Sequence, residues 1–169
     1  YPAYNVAINS LSDLGGSIPM VYPAATIFNA SNIILGLCLL AAMYFILKVE
    51  GSKIFSVCIA LFGGAMIFLS IFPEYTVTPH LIFAVIAFFS GSFALLTSYK
   101  LELDMPICII GWILGGIALV TVLSVFVIGV GPANPLDVLG KGGAERLIIY
   151  PVVIYLTALG GYLAAKIQN

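Results

Sequence analysis

A chain of 169 residues that is 62% hydrophobic and only 8% charged has too few polar side chains to clothe a water-soluble core. Six Lys and Arg against seven Asp and Glu, a formal net charge of −1, give no basic surface, so no nucleic-acid partner is expected. The apolar residues are gathered into five blocks, 26–47, 54–72, 81–99, 106–130 and 147–165, none of which contains Asp, Glu, Lys, Arg or His. A helix needs about 20 apolar residues to cross a bilayer, and a helix with no polar face belongs in lipid. The expected fold is therefore an all-α, polytopic transmembrane helix bundle, a single integral membrane domain over 1–169 with five spans. The strands of a β-barrel would alternate apolar with polar residues, and these blocks do not.

Residues 1–25 are too short in apolar residues to cross and too apolar for a free tail, so they read as an interfacial segment over one mouth of the bundle. Ser12 or Asp13 is placed to cap a short helical turn that Gly15 and Gly16 end, and Pro19 and Pro23 keep the chain extended up to the first span. Tyr1, Tyr4 and Tyr22 suit the headgroup level. Asn29, one turn inside the first span, is expected to hydrogen-bond a neighbouring helix.

Lys48 and Lys53 flank the first connection, Glu50 lies within it, and Lys100, Glu102 and Asp104 follow the third span. In the second connection Glu74 precedes Thr78-Pro79-His80, which reads as a helix cap followed by the first two helical residues. An imidazole there has the chemistry to bind a metal or act as a base, but a lone histidine without nearby ligands is expected to be structural. In the fourth span Gly111 and Gly115 form a GxxxG pattern, a close-packing signal for a helix of this bundle or of another subunit.

The fourth connection ends in Gly140-Lys141-Gly142-Gly143, read as flexible, and leads to Glu145 and Arg146 at the start of the last span. Glu145 complements the dipole of that helix. Arg146 does not, so it is expected to pair with Asp13 or Glu74, or to bind an anion such as a lipid phosphate. Pro151 sits one turn into the span and Lys166 follows it. Counting cations, four lysines fall on one side and Lys141 with Arg146 on the other. The positive-inside rule then places the N-terminus of this chain outside and its C-terminus in the cytoplasm of a multi-pass cell-membrane protein. Ser12, Asp13, Glu74, His80, Glu145 and Arg146 become a candidate outward polar cluster.

Cys38, Cys58 and Cys108 lie within spans at no metal-ligand spacing. No span carries a charge of the kind that marks ion paths or proton relays, and no phosphate-binding loop, zinc motif or nucleophile elbow is present. No cofactor and no metal is expected.

In order along the chain, Asn9-x-x-Ser12-Asp13-Leu14-Gly15, Phe28-Asn29, Phe72-Pro73-Glu74, His80-Leu81, and Glu145-Arg146 with Tyr150-Pro151 resemble the DUF998 family of uncharacterised prokaryotic membrane proteins. The resemblance implies six spans, one of them before the Ser-Asp-Leu-Gly segment, and implies no reaction. A chain opening at Tyr1 without methionine is then expected to lack that first helix, supplied upstream or by a partner. Two functions are left open: a non-catalytic accessory or scaffold subunit contacting lipids and other transmembrane subunits, or a protein whose outward cluster binds a lipid headgroup or anion and performs hydrolysis.

Overall fold

The computed structural model describes residues 3–49 and 51–168; Tyr1, read above as an interfacial residue, and Glu50 lie outside the described residues. The described chain is α-helical without strands: α1 (Ser12–Gly16), α2 (Ala24–Lys48), α3 (Lys53–Ile71), α4 (Thr78–Thr97), α5 (Met105–Val127) and α6 (Gly140–Gln168). Short 3₁₀ turns occupy Glu74–Thr76, Ser98–Leu101 and Asp137–Leu139. Five of the helices, all but α1, are long and apolar enough to cross a membrane.

The helix limits follow local chemistry. Ser52 caps α3 by accepting the N–H of Phe55 at 3.3 Å, and proline in the first turn opens both α4 and α5. Thr78 is the first residue of α4 and not its cap; Val77 precedes it with φ 52 and no side-chain cap, which puts His80 one residue deeper into the helix than the sequence reading had it. Beyond α5, Asn134 is buried and accepts from Ser124 Oγ and Leu136 N while donating to the carbonyls of Ser124 and Gly129, so one side chain anchors the loop to the helix end.

Successive helices run antiparallel and pack in chain order, and α4 also touches α6. Phe55, Phe62 and Tyr155 are fully buried at the centre. Lipid tails are as apolar as leucine, so close packing and interhelical hydrogen bonds must hold such a bundle. The GxxxG face of α5 is spent on this packing. A Cβ at Gly111 would meet the ring of Tyr155, and one at Gly115 would meet Leu95, both within 3 Å. Beside Gly111, Tyr155 Oη and Ser98 Oγ share a buried 2.6 Å hydrogen bond.

The two ends of the bundle differ. At one, Lys48, Lys100 and Lys166 each lie over a tyrosine ring at 4.9, 5.0 and 5.9 Å. Such lysines and tyrosines suit a membrane interface, stem in the apolar layer and charge at its edge. The other end holds α1 and the polar cluster.

Candidate functional site: a polar roof over an inter-helix cleft

The N-terminal segment lies over the starts of α2 and α6 and against the turn that leads into α4, and its fixation begins with a capping box. Ser10 Oγ accepts the N–H of Asp13 at 3.2 Å while Asp13 Oδ2 accepts the N–H of Ser10 at 2.9 Å. The cap is thus Ser10, with Asp13 as its reciprocal partner, and not the Ser12 or Asp13 cap expected from sequence. Gly16 then lets this short helix settle on the chain entering Glu74, since a Cβ there would come within 2.6 Å of Pro73 Cβ and Glu74 N. Asn29 donates from its amide to Gly15 O at 2.9 Å, so the neighbouring helix it bonds is α1 of the roof.

Arg146 makes a different set of contacts from those the sequence suggested. It sits two turns inside α6, because that helix begins at Gly140 and takes in the glycine-rich stretch read as flexible. Its Nη1 donates to the carbonyls of Val6 at 2.8 Å, Asn9 at 2.9 Å and Gly142 at 2.8 Å, and Nη2 donates to Tyr4 Oη. Among the described residues no carboxylate lies within ion-pair distance of Arg146. In place of the expected pairing with Asp13 or Glu74, Nη1 and Nη2 of this buried side chain are engaged by backbone oxygens and the Tyr4 hydroxyl. Gly142 makes room for this: a Cβ there would overlap the same Val6 and Asn9 oxygens.

Glu74 pairs with Lys141, and it also accepts Ser10 Oγ at 3.1 Å. Glu145 accepts Ser12 Oγ at 2.9 Å and the N–H of Leu11. Asn9 Nδ2 donates to Asp13 Oδ2 at 3.1 Å, linking the Arg146 contacts to the carboxylates through one residue. Burial pushes the Asp13 carboxyl up, but the adjoining Glu74 carboxyl, the Asn9 amide, the Lys141 charge and the Ser10 N–H together hold it below the ordinary aspartate value. Burial raises the Tyr4 hydroxyl above its usual value despite Arg146 beside it.

His80 places Nδ1 2.9 Å from Phe72 O. A carbonyl only accepts, so Nδ1 carries the hydrogen; among the described residues Nε2 has no partner. No group of three His, Cys, Asp or Glu in the described residues is arranged to hold a metal.

Beneath this roof α4 and α6 splay apart. They meet at Gly91, where a Cβ would come within 3.1 Å of the buried Val152. From His80 down to Gly91 the helix rises about 16 Å. The space opens as two cavities, of about 420 Å³ toward α2 and α3 and about 640 Å³ toward α5. Both are lined by Ser12, Glu74, His80, Ala84, Phe88 and Glu145, so the polar groups stand where the two arms join. Four of the six predicted cluster residues line the cleft; Asp13 and Arg146 serve in the roof. Ser10, Tyr4, Asn9 and Lys141 were not among the cluster named from sequence.

The fold and site define a multi-spanning, all-α membrane protein with a polar cluster at one end of its bundle. The chain belongs to the DUF998 family, described as proteins of unknown function, whose family model matches residues 1–162. No curated protein and no solved structure matches it.

Proposed function

We propose that this protein binds a membrane amphiphile in the cleft between α4 and α6, with the ligand's polar head under the roof and its apolar part along the helices. One observation carries the reading: Glu74, His80 and Glu145 line the head of a cavity whose walls are mostly apolar, with Ser12, Asn29, Ser31 and Asn32 as its other polar residues. Small-molecule sites have this character, with volumes of roughly 300–1,000 Å³, mostly apolar walls and a few placed polar groups. Carboxylates accept hydrogen bonds and repel anions, so the favoured head donates hydrogen bonds; the anion-binding alternative loses its support with Arg146 engaged elsewhere. No role in catalysis is assigned to these residues. The cleft end is read as the outward end, from the lysine-and-tyrosine edge at the opposite one.

An accessory role in a larger membrane complex draws no support from the GxxxG face, because Gly111 and Gly115 pack within the bundle; the small-residue positions left open to an outside helix are Gly64, Gly116, Gly160 and Gly161. The test is thermal unfolding in detergent with added mono-oleoylglycerol. The native chain should gain stability with dose, and Ala84→Phe, which fills the joint of the cleft, should abolish the gain measured from its own ligand-free melting temperature. Equal gains in both proteins would overturn the reading.

A further inference from the structure

The cleft has two mostly apolar arms that share one polar joint, the arm toward α2 also carrying Asn29, Ser31 and Asn32, and that shape specifies more than an amphiphile. Resting on the reading above, we infer that the occupant is a lipid with two hydrocarbon chains and a small, phosphate-free head that donates hydrogen bonds, the chemistry of a diacylglycerol. One arm passes between α2, α3 and α6, where Leu35 and Val153 line it; the other passes toward α5, where Val125 and Ile148 line it. Each arm falls within the volume range of a ligand site by itself, so a single chain would leave one of them empty or wet.

The joint selects the head. Glu74 and Glu145 both face it, and Lys141, the one cationic side chain among the described residues lining it, is already paired with Glu74. A phosphate placed against the Glu74 carboxylate meets like charge, whereas a hydroxyl finds the oxygens of Glu74 and Glu145 to donate to. The two chains of such a lipid leave its head together, as the two arms leave the joint.

Native mass spectrometry of the detergent-solubilised full chain, titrated with three probes, tests this. Dioleoylglycerol should bind about tenfold or more tightly than mono-oleoylglycerol, and dioleoyl phosphatidic acid about tenfold more weakly than dioleoylglycerol. Leu35→Trp and Val125→Trp, each blocking one arm, should bring dioleoylglycerol down to the affinity of mono-oleoylglycerol. Equal binding of the one-chain and two-chain glycerides, lost in Ala84→Phe, would overturn the two-chain inference while leaving the amphiphile site standing. Preference for the phosphatidic acid would overturn the head assignment. Failure of all three probes to bind would remove both readings. Should a tryptophan variant misfold, the wild-type affinity ratios alone decide.

Discussion

Glu145 of α6 accepts the hydroxyl of Ser12 of α1 at 2.9 Å, across 133 positions of sequence, and the same carboxylate takes the Leu11 N–H. One side chain at the top of a span therefore fixes the height of the roof above the cleft. Glu145→Gln keeps one acceptor oxygen and turns a donor toward a neighbour that also donates. We expect it to cost about 1–3 kcal/mol, and the pair with Ser12→Ala to cost less than the sum of the single changes in a thermal-melt cycle.

Arg146 holds the N-terminal segment by its backbone. Arg146→Ala strands the Val6 and Asn9 carbonyls, at a cost on the order of 2–4 kcal/mol, and Arg146→Lys should restore only part of it because an ammonium lacks the planar fork. Limited proteolysis is the sharper readout. Cleavage within residues 3–11 should accelerate in both variants and in Gly142→Ala, whose methyl takes the place of the same oxygens; unchanged cleavage in Arg146→Ala would show that the segment is held by something else.

The folded pKa of Asp13 lies below its ordinary value of 3.8, so its contribution to stability is complete above that value and is lost as pH falls through the folded one. The groups facing it are Glu74, Asn9, Ser10 and Lys141. In acid titration monitored by circular dichroism, Asp13→Asn should flatten the stability loss below about pH 4. A curve identical to the wild type there would mean that Asp13 is not held in this network.

Deep in the bundle, the Tyr155 to Ser98 hydrogen bond should be worth little. Interhelical hydrogen bonds within membranes average about 0.6 kcal/mol, so Tyr155→Phe should shift stability by roughly that amount. Gly111→Leu, which drives a side chain into the Tyr155 ring, should cost several times more, measured as the change in unfolding midpoint in detergent.

How much of this was legible in the sequence follows from which forces leave a local trace. Charge-free blocks of membrane-spanning length reveal five helices because lipid tolerates no unpaired charge along them. The gathering of Ser12, Glu74, His80 and Glu145 at one end follows from counting spans. The Ser10 to Asp13 capping box was also readable, as Ser-x-x-Asp ahead of a turn, but the adjoining Ser12 drew the assignment. Arg146 was misread for a different reason: its partners are carbonyl oxygens, which every residue carries and no motif announces. The same contact explains why Gly140-Lys141-Gly142-Gly143, loop-like by composition, is helix. Gly142 lacks the side chain that would exclude Val6 and Asn9, Gly140 likewise lies against Ala7, and the packed segment outweighs the glycines' poor helix propensity of about 1 kcal/mol each.

The orientation can be checked by single cysteines at Lys141 and Lys100 in a background lacking Cys38, Cys58 and Cys108. A membrane-impermeant thiol reagent applied to intact cells should label the first and spare the second. The opposite pattern would put the cleft mouth in the cytoplasm.

The central claim is that the cleft between α4 and α6 holds a membrane amphiphile, and the lipids that remain bound through purification report on it most directly. Native mass spectra of the wild-type chain extracted in mild detergent should show a bound lipid adduct of defined mass that is absent from Ala84→Phe prepared in the same way. A wild-type chain free of adducts, or an adduct kept equally by Ala84→Phe, would contradict it.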